Sequence, residues 1–373
     1  MSESNFTDVV ILAGGFGERL WPASKPDFPK QFMSLEDGTS FLQSAVLRAL
    51  SINPEGKIII VTRKDILNQV CIQCSQLKEK VTAQQKEKLA EDLLVIAEPC
   101  ARHTCAPILL SCKYLDKCTG SSRHTVLVLA SDHVIMPEEA FASDCKKAAK
   151  MADEGNFVCF AINPTEPSTG YGYIKGGECL DSENSVFKID TFKEKPDAET
   201  AKAYVESGNY WWNSGMFGFT SEFFQKEIAE QEKDIAKDFE VFDSNVLPEI
   251  DLIENVRTLS RWTPMEQVYS KVKAIAVDNA VAEKTSKAVV VKASFNWDDV
   301  GSWDALEKFF TKKNPFVTEV EAENNFVYSD IPVAMCGVKD LIVVVKNGKC
   351  LVMKKGKSNL MREVVKKINP ADK

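Results

Sequence analysis

Three glycines, one arginine and one lysine near the amino terminus have the types and spacing of a phosphate cradle. They lie in Leu12-Ala13-Gly14-Gly15-Phe16-Gly17-Glu18-Arg19-Leu20-Trp21-Pro22 and in Pro29-Lys30-Gln31-Phe32. Glycine backbones present bare N–H groups that can wrap a triphosphate. Arg19 adds a fork-shaped donor for phosphate oxygens and Lys30 a point-like cation. A Walker A loop would end in Gly-Lys-Ser/Thr, which is absent, and a dinucleotide fingerprint would need a small residue where Leu20 stands. Taken alone, a glycine turn is a tight connection and a lone arginine a solvated side chain. Both cations following one strand-like run favour the phosphate reading.

Two carboxylates distant in sequence suit a metal bridged to those phosphates. Asp132 follows the apolar run Thr125–Ala130, and Asp299 lies in Trp297-Asp298-Asp299-Val300-Gly301. Mg²⁺ takes one or two protein carboxylates and leaves its other positions to phosphate and water. The plainer alternatives are a helix cap for Asp132 and a turn carboxylate for Asp298 or Asp299. His133 is read as structural, because no thiol or serine signature accompanies it. Glu98, in Glu98-Pro99-Cys100-Ala101-Arg102-His103-Thr104-Cys105-Ala106-Pro107, follows the apolar run Leu93–Ala97 and is a carboxylate able to accept two adjacent N–H donors.

The elements that must position these groups follow from apolar runs of strand length. Val9–Ala13, Lys57–Thr62, Leu93–Ala97 and Thr125–Ala130 read as strands buried on both faces of a parallel sheet. Helical patterns over Ser40–Ser51, Lys64–Lys80, Thr104–Lys117 and Pro137–Glu154 separate them. The alternation predicts an α/β doubly wound, Rossmann-like mixed sheet with ligands at the carboxyl ends of its strands. An α+β section follows: strands Gly172–Gly176, Ser185–Phe192 and Ser214–Phe219, helices Ala198–Ser207 and Ser221 to about Asp243, and strands Ala274–Val277 and Ala288–Ala293. Beyond Phe310 come short strands at Asn324–Tyr328, Val333–Met335, Leu341–Lys346 and Cys350–Met353, then a charged helix near Met361–Lys367. This predicts a domain over 1–312 and a β-rich tail over 313–373, like a few coils of a β-helix, packing on the main domain or on a second subunit. No internal repeat is visible.

Composition narrows the function classes. Net charge is -8 with no block of Lys and Arg, so a general nucleic-acid surface is not expected, and phosphate chemistry must rest on a few placed cations. No run has the length of a membrane span, and the polar stretch Met1–Asp8 is neither a signal nor a transit peptide, so a cytosolic chain is expected. The 11 cysteines, Cys71-x-x-Cys74 included, lack zinc-finger spacing and read as small buried hydrophobes.

The run Leu12 to Phe32 resembles the signature of the sugar-nucleotide pyrophosphorylases, G-G-x-G-x-R-L-x-P with a downstream Lys. Its Trp21-Pro22-Ala23-Ser24 and Pro29-Lys30-Gln31-Phe32 are similar to the mannose-1-phosphate guanylyltransferase branch. The resemblance implies the nucleotidyltransferase fold, with Ala13, Gly14, Gly15 and Gly17 on the nucleotide and Arg19 and Lys30 stabilising departing pyrophosphate. It implies Asp132 and Asp299 as Mg²⁺ ligands. The run at Glu98 resembles E-P-x-x-R-N-T-A-P, which implies Glu98, Arg102 and Thr104 at base and ribose, although His103 replaces the usual Asn and Cys105 the usual Ala.

Three further motifs resemble the sugar-phosphate site of that family. They are Thr169-Gly170-Tyr171-Gly172-Tyr173, Phe192-Lys193-Glu194-Lys195-Pro196 and Trp211-Trp212-Asn213-Ser214-Gly215. They imply Gly170, Tyr171, Glu194, Lys195 and Asn213 as contacts to the sugar and its phosphate, with Lys195 also a catalytic cation. Val277-Asp278-Asn279-Ala280-Val281-Ala282-Glu283-Lys284 resembles D-x-A-V-M-E-K, which suggests Glu283 and Lys284 on the same cleft without a set role. The similarity runs from Val9 to about Lys367.

The activity implied is in-line attack of mannose 1-phosphate on GTP, giving GDP-mannose and pyrophosphate in a homodimer away from membranes. A bifunctional isomerase carrying a zinc cupin is not expected, since His103, His124 and His133 are the only histidines and all precede the tail. A non-catalytic regulatory subunit, and an enzyme taking glucose 1-phosphate with UTP or dTTP, remain the competing readings. The first is disfavoured by the presence of Arg19, Lys30, Asp132 and Asp299, the second only by resemblance.

Overall fold

The structure, a computed structural model, describes residues 4–183, 185–312 and 314–368. Contacts divide the chain into two compact units. One comprises the chain up to Gly14, Ala45–Ala130 and Ile135–Trp297; the other comprises Gly15–Ser44, Ser131–Val134 and the chain from Asp298 onward.

The first unit is organised by an 11-stranded mixed sheet. In spatial order its strands are Asp251–Ile253, Val256–Leu259, Leu93–Glu98, Ile58–Arg63, Asp8–Ala13, Thr125–Ala130, Tyr210–Thr220, Phe157–Ile162, Ala288–Lys292, Val186–Lys193 and Tyr173–Asp181. Asp8–Ala13 pairs in parallel with Ile58–Arg63 on one side and Thr125–Ala130 on the other, and Ile58–Arg63 pairs in parallel with Leu93–Glu98. Tyr210–Thr220 enters antiparallel between Thr125–Ala130 and Phe157–Ile162.

The sequence of these strands explains their place. Every residue of Ile58–Arg63, Leu93–Glu98 and Phe157–Ile162 is buried. Successive side chains point to opposite faces, so a largely apolar run feeds both faces of the sheet at once. On one face Val10, Ile59, Ile96 and Val128 pack with Ile108, Leu109 and Cys112 of the helix Cys105–Thr119. The helix Glu138–Asp153 packs on Phe157–Ile162, Thr125–Ala130, Tyr210–Thr220 and Ala288–Lys292. Each such Val, Leu or Ile contributes about 1.5–3 kcal/mol by leaving water. Cys71 and Cys74 are buried in the helix Leu67–Leu77 as free thiols, and burial pushes the Cys71 thiol up to about 12. They are packing residues.

Two local expectations change. Ala274–Val277 is irregular chain leading into a π-helical turn at Asp278–Ala282, not a strand. Its backbone is satisfied by the start of the helix Cys105–Thr119: Val277 N donates to Thr104 Oγ1 at 2.8 Å and Cys105 N to Ile275 O at 3.2 Å. The strand expected at Ser214–Phe219 begins earlier, at Tyr210, so Asn213 belongs to the sheet.

In the second unit the tail winds as a β-helix. Val317 pairs with Val333, Glu323 with Lys339, and Phe326 with Ile342, each in parallel and 16 residues apart. Lys349–Lys354 closes the stack antiparallel to Leu341–Lys346. Strand alternation splits the buried side chains: Val327 and Val343 pack with Met335, whereas Phe326, Ile342 and Val344 pack with Trp303, Leu306, Leu20 and Met33. Among the described residues no helix is long and apolar enough to cross a membrane.

Trp303 is the hub of this second cluster. It is fully buried, its Nε1 donates to Trp21 O at 3.1 Å, and its ring centroid is 5.4 Å from that of Tyr328. Trp303→Ala is expected to cost about 3–5 kcal/mol in chemical denaturation of the full chain; a loss under about 1 kcal/mol would remove Trp303 from that role.

Candidate active site

The second unit contains a cavity of about 590 Å³ into which Gly17, Arg19, Lys30, Asp132, Asp299 and Gly301 all project. These residues come from three separated stretches of sequence. Lys30 is 4% exposed, and its ammonium is held by Asp132 Oδ2 at 3.1 Å and by the Asp299 carbonyl oxygen. The Phe41 ring lies beneath it, 5.1 Å from Nζ to the centroid. Gly17 sits against the Lys30 backbone at φ 61, and a Cβ there would lie 2.7 Å from Lys30 N. Only glycine combines that positive φ with that approach. Arg19, on the short 3₁₀ turn Glu18–Leu20, is exposed to the cavity.

Asp298 and Asp299 both bond their own turn. Asp298 Oδ1 accepts from Val300 N at 2.7 Å and Asp299 Oδ1 from Gly301 N at 3.1 Å. The turn reading therefore accounts for Asp298, while Asp299 does that work and faces the cavity as well. A side chain starting at Gly301 would come within 3.0 Å of Asp299 Oδ2 and 3.1 Å of Arg19 Nη1. Val300 between them is buried at φ 43, a strained backbone for a β-branched residue. Burial works against ionisation of Asp132, but Lys30 and His133 outweigh it and hold its carboxyl below the usual carboxylate range. Asp132 caps no helix: Pro137 precedes Glu138–Asp153.

Among the described residues no group of three or more His, Cys, Asp or Glu could cage a metal. Two hard carboxylates lining a cationic cavity instead fit a divalent ion that completes its shell with phosphate and water.

The expected base and sugar residues lie in the first unit. Glu98 ends the strand Leu93–Glu98 and is 4% exposed, with Oε2 lacking any hydrogen-bond partner among the described residues. Its Oε1 lies 3.0 Å from where a side chain on Gly14 would begin. Burial pushes its carboxyl up to about 7, against the opposing pull of Tyr269 and Arg63. Two donors of Arg102, Nε at 3.1 Å and Nη2 at 2.7 Å, are spent on the Tyr269 carbonyl, and the Thr104 hydroxyl oxygen accepts from Val277 N at 2.8 Å. Arg102 thus braces the backbone of Tyr269, a neighbour of Glu98, and Thr104 braces the chain at Val277. His103 has φ 56, a left-handed backbone in which Asn and His are both enriched.

Around Asn213 a second polar group forms. Asn213 Nδ2 donates to Asp278 Oδ1 at 2.9 Å, its Oδ1 accepts from Gly215 N at 3.1 Å, and its backbone N donates to Gly172 O at 2.8 Å. A Cβ on Gly172 would lie 2.5 Å from Glu194 Oε2, so any side chain there would displace the Glu194 carboxylate. Lys195 Nζ pairs with Glu194 Oε1 at 2.6 Å. The Tyr171 ring stands edge-on to Trp212 and Trp297, with centroids 4.9 and 5.2 Å away. Gly170 turns the preceding loop, donating to Ser168 Oγ at 3.2 Å. Burial and the Glu194 charge push the Asp278 carboxyl up to about 6. Asp278, Tyr269 and Gly301 were missed as site residues. The D-x-A-V run did carry a signal, but its Lys284 pairs with Glu232 and its Glu283 with Asn279, and Asp278 is the residue that reaches Asn213.

Comparison with known proteins completes this picture. A family model described as nucleotidyl transferase matches residues 8–314, and one described as the MannoseP isomerase/GMP-like β-helix domain matches residues 317–368. A mannose-1-phosphate guanylyltransferase of Escherichia coli is 32% identical over 371 residues, covering 96% of this chain and 75% of the relative. The chain belongs to the mannose-1-phosphate guanylyltransferase family. A relative of the same description from Salmonella montevideo is 35% identical, covering 96% of this chain and 73% of its own. A crystal structure from Thermus thermophilus, described as a mannose-1-phosphate geranyltransferase, superposes with TM-score 0.78 at 27% identity, covering 96% of this chain and 98% of that one. The doubly wound mixed sheet and the β-helical tail are thus those of the family.

The buried Glu98 has a consequence for stability. The folded chain keeps a proton on Glu98 up to about pH 7, which the unfolded chain gives up near 4.5. The folded state binds the extra proton inside that window, so stability is greatest below it and falls as pH rises through it. Glu98→Gln removes the effect. The variant should gain on wild type by up to about 3 kcal/mol between pH 4 and pH 8 in denaturant titrations, and parallel pH profiles would refute the assignment.

Proposed function

We propose that this chain transfers the guanylyl group of GTP to α-D-mannose 1-phosphate, releasing GDP-mannose and pyrophosphate. The observation that carries the reading is the gathering of Arg19, Lys30, Asp132 and Asp299 on one cavity beside the glycine turn. A phosphate oxygen of mannose 1-phosphate attacks the α-phosphorus of GTP. A new P–O bond forms as the bond to the bridging oxygen breaks, and pyrophosphate leaves with that electron pair. The nucleophile is already anionic at neutral pH, so no general base is needed. The chain's task is positioning and charge neutralisation.

Ala13, Gly14, Gly15 and Gly17 line the triphosphate, Arg19 and Lys30 stabilise the developing pyrophosphate, and Lys195 the sugar phosphate. Asp132 and Asp299 would hold Mg²⁺, which when bound neutralises phosphate oxygens at the reacting phosphorus. Glu98 accepts from the guanine edge. Its unpartnered buried oxygen supports this role, because a base presenting two donors would satisfy it. Asn213 and Glu194 bind sugar hydroxyls, with Gly170 and Tyr171 forming the adjoining wall. We assign 1–312 to catalysis and 313–373 to the β-helical tail, in a homodimer.

The test is pyrophosphate release with several triphosphates crossed against several sugar 1-phosphates in Mg²⁺. GTP with mannose 1-phosphate should give the highest kcat/KM; turnover with UTP and not GTP would overturn the guanine assignment. Asp132→Ala should lower kcat by about 10³-fold or more, and a near-normal rate would remove Asp132 from the metal site.

A further inference from the structure

We propose that Arg362 and Lys366, on the C-terminal helix Met361–Lys367, bind the β- and γ-phosphates of the nucleotide and hold pyrophosphate as it departs. The proposal rests on the nucleotidyl-transfer reading and assigns a new part of the chain to it. Both side chains line the same cavity as Arg19 and Lys30. The helix is fixed there from beneath. Met361 and Val365, one turn apart, are buried in the apolar cluster with Leu20, Val300 and Trp303. Arg362 and Lys366 form the adjacent row on the same helix, one residue further on, and both are exposed.

Charge accounting favours the role. Lys30 is already committed to Asp132 and to the Asp299 carbonyl. The cavity carries four cations, Arg19, Lys30, Arg362 and Lys366, against the carboxylates of Asp132 and Asp299, and two of the four come from this helix. Without the helix, Arg19 and Lys30 would only match the two carboxylates, leaving the lining no net positive charge for a highly charged triphosphate. Arg362 and Lys366 make no ion pair or hydrogen bond among the described residues, whereas the neighbouring Lys367 pairs with Glu363 at 2.6 Å. A planar guanidinium and a mobile ammonium at successive turns suit two linked phosphoryl groups.

The experiment compares the full chain with Arg362→Ala, Lys366→Ala, the double variant and Arg362→Lys, with Lys367→Ala as a control for net charge. Binding of inorganic pyrophosphate and of tripolyphosphate, by calorimetry, should weaken roughly tenfold or more in the double variant, be partly kept by Arg362→Lys, and be unchanged by Lys367→Ala. In turnover, KM for GTP should rise by a similar factor while KM for mannose 1-phosphate stays within twofold. Thermal midpoints should be unaltered, since both side chains are exposed. No measurable pyrophosphate binding by the wild type, double-variant binding within twofold of it, or an equal loss in Lys367→Ala would each overturn the proposal. Arg362- and Lys366-dependent binding without sugar-phosphate turnover would refute the transferase reading and leave this site standing. Turnover with unchanged KM for GTP in the double variant would refute this site alone.

Discussion

The buried ammonium of Lys30 organises the charged half of this molecule. A cation that is 4% exposed persists only if its neighbours replace the water it has lost, and here the carboxylate of Asp132 and the carbonyl of Asp299 do so. Removing Asp132 would leave a buried charge without its counter-charge, at a cost of several kcal/mol. One interaction thereby ties together stretches around residues 30, 132 and 299, and the close fit of Gly17 on the Lys30 backbone adds a fourth. The cluster is fixed before any substrate arrives, which is the condition for electrostatic stabilisation of a transition state without reorganisation. The strained Val300 persists for the same reason. Its side chain is fully buried and its N–H bonded to Asp298, so the turn presenting Asp299 is over-determined.

The first unit solves a different problem. Glu98 and Asp278 are carboxyls pushed towards the neutral form by burial, and Asn213 is bonded on both ends of its amide. Recognition of a neutral base and of sugar hydroxyls needs directional, desolvated polar groups more than net charge. Wide β-branched strands supply the rigid base for those groups.

Much of this was legible because burial on both faces leaves a simple mark, an uninterrupted apolar run. Asp8–Ala13, Ile58–Arg63, Leu93–Glu98 and Thr125–Ala130 carry it and were read to within a residue. Asp251–Ile253 and Val256–Leu259 escaped. They are short, and the turn between them, Glu254-Asn255 with both φ positive, lacks the glycine that usually marks such a hairpin. Ala274–Val277 was misread as strand because its hydrogen bonds go to a helix start, which composition does not encode. In the site, residues in dense motifs were visible. Tyr269 and Gly301 were not: one acts by packing beside Glu98, the other by leaving space, and neither has reactive chemistry. The β-helix was anticipated without its period, since the residues that match across coils, such as Val317 with Val333 and Phe326 with Ile342, share only apolar character.

That 16-residue period makes the tail a ruler. The strands around Phe326 and Ile342 spend one face on the coil interior and the other on the Trp303 cluster, which locks those two faces in phase, whereas Val317–Val320 and Val333–Cys336 turn their second face outward. Length can change in this part of the chain only in whole coils, because a shift of one residue would exchange the rows and turn both interiors outward. The tail is in this sense quantised, tolerating insertion or deletion in steps of a whole coil.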